Sequence, residues 1–397
     1  MPWQPSEATS LSTAERHWGL AAAIACAAVF GASVGLTAPL LSLTLEARGF
    51  DSSVTGLNAA ATFIGVILGP MLTPALVARF GPRRFMLGCL AGDAVLFLLM
   101  KPLDSIAAWF VLRAGLGLLG SSLFTATEAW ISLIASDAGR GRVIGLYAAA
   151  LSLGFGSGPL LLSLTGMAGW TPFLANTALA AFAALPLLML GERGVPFGRK
   201  ETPSPLGIFV KAPAIIVAVG LFGAFETGAI ALLPVWGVRI GLDPQRAAAT
   251  LTAIYFGAIA LQYPVGWLSD RVPRRLVLRL CAGAGLVGAL LGPWAGDALM
   301  PLFTALFFCG GLASGLYPVA LAMAGDRFRD GELVAANAAL IMSYGIGSLI
   351  GPVAGGIAMD LWNPHGLLTL FALLFATFLA TTLTPARRAE ARQEPRP

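Results

Sequence analysis

An all-α membrane protein, twelve transmembrane helices in two similar bundles of six, is the architecture that this 397-residue sequence predicts. Three observations carry that expectation. Hydrophobic residues make up 57% of the chain and charged residues 11%, with a mean hydropathy of +0.80, where a water-soluble domain carries about 25% charged residues. The apolar residues fall into twelve stretches near the roughly 20 residues that a helix needs to cross about 30 Å of hydrocarbon. Finally, Val29–Arg83 and Leu221–Arg275 match without a gap at an offset of 192 residues. Phe30-Gly31-Ala32 recurs as Phe222-Gly223-Ala224, Gly49-Phe50-Asp51 as Gly241-Leu242-Asp243, and Arg79 and Arg83 as Arg271 and Arg275. A duplicated apolar segment means two related helix bundles, and a solute site is expected where such bundles meet.

Taken in order, a tail at 1–17 precedes spans at 18–45, 53–78, 85–100, 106–134, 143–165 and 171–190, which make a first bundle over 18–190. A polar, Gly- and Pro-rich break gives a linker at 191–208. Spans at 209–238, 247–269, 276–294, 298–324, 333–359 and 366–384 make a second bundle over 209–385, and a tail at 386–397 follows. Helices are expected rather than strands, because no water inside a bilayer can satisfy free backbone groups and these runs are too long for barrel strands. The first tail holds Glu7 and Glu15 and lacks a basic region and a cleavage site, so no removable signal peptide is expected.

Charge sets the orientation. Placing the linker in the cytoplasm puts 20 of the 25 basic residues inside, leaves Arg48, Lys101, Arg239 and Arg246 outside, and puts Arg113 within a span. Positive loops stay on the cytoplasmic side, so both termini are expected there.

Several chemistries are excluded. The net charge of +5 is spread over short loops rather than gathered on a soluble face, which argues against nucleic acid. The four cysteines lie inside apolar stretches, so no disulfide framework or Cys-x-x-Cys metal site is expected. Two histidines, His17 and His365, supply neither a metal centre nor a Ser–His–Asp site. No phosphate-binding Gly-x-x-x-x-Gly-Lys-Ser/Thr loop occurs, so ATP is not expected as the energy source. The reading is of a non-enzyme without cofactor or metal.

Three motifs point to a family. Gly266-Trp267-Leu268-Ser269-Asp270-Arg271-Val272-Pro273-Arg274-Arg275 follows the eighth span, and Pro74–Arg84 after the second keeps the basic cluster and Gly81 but has Ala78 in place of the acid. Gly347-Ser348-Leu349-Ile350-Gly351-Pro352-Val353-Ala354-Gly355-Gly356 is partly repeated as Gly154-Phe155-Gly156-Ser157-Gly158-Pro159. Arg113-Ala114-Gly115-Leu116-Gly117 lies in the fourth span. The first segment resembles the cytoplasmic loop signature G-x-L-a-D-R-x-G-R-R of the major facilitator superfamily, departing at Pro273. The second is similar to that superfamily's G-x-x-x-G-P-x-x-G-G pattern, and the third to its fourth-helix R-x-x-x-G motif.

This resemblance covers roughly 18–385 and implies a secondary transporter of a bacterial inner membrane, working as a monomer by alternating access between its two halves. It implies a cytoplasmic gate of Arg79, Arg83, Glu128, Asp270, Arg271 and Arg274, in which Glu128 pairs with Arg79 or Arg83. The alternative is that these charges only set topology. Gly158, Pro159, Gly347, Gly351 and Pro352 would be helix pivots, since small residues let backbones approach and proline lets a helix bend.

Three charged residues within spans are the candidates for proton coupling. Glu226 lies near mid-membrane in the seventh span, where loss of hydration favours its neutral form and suits it to carry a proton. The alternative is a permanently neutral, hydrogen-bonded structural acid. Arg113, about 10 Å deep, is expected to face the bundle interior or to snorkel outward. Asp93, midway through the third span, is expected chiefly as a structural hydrogen-bonder. Asn58, Tyr255, Gln262, Tyr317, Asn337 and Tyr344 lie on spans that line the path in the superfamily, flanked by Phe30, Phe222, Phe225, Phe256 and Trp236. Such a lining suits an amphipathic or weakly polar organic solute. The expected function is proton-coupled carriage of a small organic solute, with export ahead of uptake. A proton-independent facilitator for a nutrient, or a sensor or assembly factor that moves nothing, are the alternatives.

Overall fold

A computed structural model describes residues 13–103, 105–134, 140–189, 206–295, 299–328 and 330–383. The tail at 1–17 except its last residues, most of the linker and the tail at 386–397 lie outside these. Twelve helices stand where the twelve apolar stretches were expected: α1 (Thr13–Ala47), α2 (Ser52–Phe80), α3 (Pro82–Leu99), α4 (Ile106–Ile134), α5 (Arg140–Thr165), α6 (Thr171–Leu188), α7 (Pro213–Arg239), α8 (Pro244–Ser269), α9 (Arg274–Ala295), α10 (Leu299–Arg327), α11 (Asp330–Leu361) and α12 (Gly366–Leu383). Among the described residues no strand occurs, and nine of these helices are long and apolar enough to cross a membrane. The others are α5 and α12, whose apolar segments are Ala149–Thr165 and Gly366–Thr382, and α3, which carries Arg83, Arg84 and Asp93.

The duplicated Gly-x-Asp turn shows why the first two helices of each half break where they do. Gly49 and Gly241 both sit at positive φ, 78° and 103°, where a side chain would be strained. Asp51 and Asp243 follow in extended conformation at the N-termini of α2 and α8, and the Asp243 carboxylate accepts the Arg246 backbone N–H at 2.9 Å. One boundary differs from expectation. The stretch expected to begin at 209 is divided into a short helix, Leu206–Lys211, and α7, because Pro213 restricts Ala212 to φ −137°, ψ 55° and so interrupts helical geometry. Within α10, Leu306–Gly310 forms a π-helical turn, with short α-helical pieces on either side.

Packing repeats between the halves. α1 lies along α5 as α7 lies along α11, and in both pairs glycine removes the side chain that would hold the backbones apart. A Cβ on Gly154 would run into the Ala28 carbonyl, and one on Gly347 into the Gly220 carbonyl. α3 packs on α4 and α6, and α9 on α10 and α12. The halves meet along α2 with α11 and α5 with α8.

Candidate transport cavity

Side chains from the facing helices gather in a chain of rings across the centre of the molecule. In the first half, Tyr147 of α5 lies 6.2 Å from Phe124 of α4, which lies 5.5 Å from Phe30 of α1, itself 6.2 Å from Phe155 of α5. Phe155 then stacks on Tyr255 of α8 at 5.5 Å and 15°, which carries the chain across the boundary between the halves. In the second half Phe222 of α7 lies 5.9 Å from Tyr317 of α10 and 6.1 Å from Tyr344 of α11.

Glu226 sits among these rings. The Tyr344 hydroxyl donates to its Oε2 at 2.8 Å, and the Tyr344 ring lies 6.1 Å from that of Tyr317. Among the described residues no Lys or Arg forms an ion pair with it. The carboxyl therefore has one hydroxyl donor and a largely aromatic surround, a place where charge is costly and a neutral, protonated form is accommodated. Glu128 is exposed on α4, next in the chain to Thr127, whose hydroxyl meets that of Tyr147 at 3.2 Å.

The other expected residues are placed differently. Arg113 is buried, and its Nη2 donates to the Ala38 carbonyl of α1 at 3.4 Å, so its guanidinium turns into the bundle. Asp93 accepts from Ser33 of α1 at 3.5 Å, outside the ring chain. Asn58 is fully buried on α2, and neither of its amide atoms meets a hydrogen-bonding partner among the described residues. Gln262 and Asn337 are exposed. Phe225, expected to flank the cavity, instead packs on Phe371 and Phe375 of α12 at 5.2 and 5.3 Å. The reason is helical rotation: Phe222 and Phe225 are three residues apart, and only the former shares a face with Glu226, four residues on. Tyr147, Phe124 and Phe155 belong to the assembly although the sequence marks them only as apolar helix residues.

At the end remote from the linker the halves are tied together. Arg239 at the end of α7 donates from Nε and Nη2 to the two carboxylate oxygens of Glu46 on α1, at 2.7 and 2.8 Å. Asp360 of α11 accepts the backbone N–H groups of Ser52 and Ser53, at 2.8 and 2.9 Å, where α2 begins. Ser163 of α5 donates to the Gln245 carbonyl of α8 at 2.9 Å. These bonds join the two halves at that end.

At the linker end Arg83, Asp270, Arg271 and Arg274 of the expected gate bond within their own halves. Arg83 donates to the Leu188 carbonyl of α6 at 2.9 Å, Arg274 pairs with Asp326 at 2.6 Å and approaches Asp270 at 3.8 Å, and Arg271 lies over the Trp267 ring at 3.9 Å. Of the pivots, Gly158 and Pro159 lie against α1, and Gly347 and Gly351 against α7, while the Pro352 carbonyl fills the space beside Gly56 of α2.

A sequence model described as Major Facilitator Superfamily matches residues 23–261 and again 215–397. The chain belongs to the major facilitator superfamily. This superfamily member is 29% identical over 367 residues to YfkF of Bacillus subtilis (strain 168), named an MFS-type transporter, across 89% of this chain and 92% of that one. It is 27% identical over 353 residues to a similarly named protein of Enterobacter sp. (strain 638), across 87% and 90%. Among solved structures, the nucleoside transporter NupG superposes with a TM-score of 0.75 at 14% identity, covering 93% of this chain and 97% of that one. A D-xylose-proton symporter superposes with a TM-score of 0.69 at 15% identity, covering 92% and 95%. These structural likenesses establish the fold, and the family establishes a multi-pass membrane transporter of some solute.

Proposed function

We propose that this transporter carries a small, weakly polar organic solute in exchange for, or together with, a proton, by alternating access between its two halves. The observation that carries the reading is the Glu226–Tyr344 hydrogen bond of 2.8 Å inside the ring chain formed by both halves. A carboxyl that can be neutralised at that position links the charge of the site to the solute that occupies it: a proton and a solute compete for, or share, the same few polar contacts. Arg113 acts as a fixed buried charge on α4, and Asp93 as a bond between α3 and α1 that holds the first bundle together.

Export is the preferred direction. The bundles at 18–190 and 209–385 rock about α2–α11 and α5–α8, with the glycine pairs as pivots. The closed end held by Arg239 and Glu46 opens as Arg79 or Arg83 swings to Glu128 and closes the opposite one. The protein sits as a monomer in a bacterial inner membrane, with its linker and both tails in the cytoplasm. Solved structures that share the fold include a D-xylose-proton symporter and a nucleoside transporter, both named for organic solutes.

The test is transport in proteoliposomes with an imposed proton gradient, screening solutes first by thermal stabilisation of the purified protein at two pH values. Solute movement that follows the gradient in the wild type, and is indifferent to it in Glu226→Gln, supports the reading. A wild type indifferent to a collapsed gradient, with Glu226→Gln fully active, makes the protein a proton-independent facilitator instead.

A further inference from the structure

A second cavity, of about 580 Å³, lies far from the rings, at the linker end of the second half. Its wall brings together Lys211 before α7, Arg274 and Arg275 at the start of α9, and Arg327 at the end of α10, with Asp326 as the one acid among the lining residues. Two of the four cations are already engaged: Lys211 pairs with Glu332 at 2.5 Å, and Arg274 with Asp326 at 2.6 Å and the Ala322 carbonyl at 2.6 Å. Arg275 and Arg327 are exposed and, among the described residues, have no carboxylate within ion-pair distance.

The backbone adds to this charge. The 27-residue α7 and the 22-residue α9 both begin in the cavity wall, at Pro213 and Arg274, so the positive ends of two long helices border the same space. Beside the mouth the surface is apolar: Val210 of the short helix is 84% exposed and Leu276 of α9 is 44% exposed. Helix ends with unpaired cations, flanked by exposed aliphatic side chains, match the level at which a bilayer passes from phosphate to acyl chain.

We infer that this cavity binds a phosphate group, supplied in the membrane by the headgroup of an anionic phospholipid. Arg275 and Arg327 hold the phosphate oxygens from opposite walls, the start of α7 completes the cradle, and the acyl chains run over Val210 and Leu276. The ligand ties the beginning of α7, the α8–α9 loop and the end of α10 into one unit. Naming this leaflet the cytoplasmic one rests on the orientation proposed above; the binding itself does not.

The experiment is a titration of the purified full-length protein by native mass spectrometry with phosphatidylglycerol, phosphatidylcholine or inorganic phosphate, with thermal unfolding recorded in parallel. Expected is preferential retention of phosphatidylglycerol by the wild type, weakened roughly twenty-fivefold in R275Q/R327Q, from about fivefold for each arginine, and unchanged in the charge-matched R79Q/R84Q. If the double variant does not fold, R275Q and R327Q singly are each expected to bind about fivefold more weakly. Equal phosphatidylglycerol binding by the wild type and the cavity variants overturns the proposal. Thermal stabilisation by inorganic phosphate that vanishes in R275Q/R327Q, without any lipid preference, keeps the phosphate site and overturns its assignment to a lipid. None of these readouts involves transport, so they stand or fall apart from the role of Glu226.

Discussion

Arg239 grips Glu46 with two of its nitrogens across the boundary between the halves, at 2.7 and 2.8 Å, and each side chain keeps less than a fifth of its surface exposed, 16% and 18%. Asn363 accepts a further bond from the same guanidinium at 3.1 Å. A bidentate pair so placed is stronger than a solvated surface pair, and it joins the two halves at that end.

Glu46→Gln is therefore expected to shift the protein toward opening at that end by about tenfold, on the scale of a partly screened charge-assisted bond. The measurement is the labelling rate of a cysteine introduced at Ser163, which also bonds across the halves there. The exchange E46R/R239E is expected to restore the wild-type rate. Labelling that ignores all three substitutions would remove the pair from the gate.

At the opposite end the expectation concerns the proposed pairing of Arg83 with Glu128. Arg83 here reaches the Leu188 carbonyl, and its pairing with Glu128 is what the proposed alternating-access cycle expects of the other state. Glu128→Arg should lower transport, and adding Arg83→Glu should recover much of it. No recovery in proteoliposome flux means that the two side chains do not pair, and that the basic loops act only on topology.

For the centre, Glu226→Gln should abolish accumulation driven by a proton gradient while leaving solute counterflow, because exchange at equilibrium does not require a net proton to move. Glu226→Asp, which keeps a titratable group but withdraws it from Tyr344, should retain coupling at a reduced rate. Accumulation by Glu226→Gln equal to the wild type would assign the acid a structural role.

Packing makes a prediction independent of transport. Gly347→Val must push α11 off the Gly220 carbonyl of α7 and is expected to cost about 3 kcal/mol or more, seen as a lower midpoint of thermal unfolding in detergent. Gly88→Ala, where an added Cβ meets nothing within 4 Å, should leave that midpoint unchanged or raise it slightly through helix propensity. Equal effects would mean that the close α7–α11 approach does not contribute to stability.

Local physics made the helices legible. Hydrocarbon thickness fixes their length and the need to bond every backbone group internally fixes their type, so the number and order of the spans follow from the chain alone. The repeated Gly-x-Asp turns were readable for the same reason, since φ at Gly49 and Gly241 and the capping role of Asp243 depend on a few adjacent residues. Glu226 could be singled out because an acid at mid-span is rare and costly. Its partner could not, for Tyr344 lies 118 residues away and nothing local fixes which face of α11 meets α7. The same rotation that brings Phe222 to the rings turns Phe225 toward α12, and a difference of three residues along a helix decides it. Glu46 and Arg239 are ordinary helix-end charges until the halves close on each other. The sequence by itself determined what crosses the membrane and how often; the packing of one half on the other decided which side chains share a site, because that depends on helix rotation and approach, set by contacts between residues far apart in the chain.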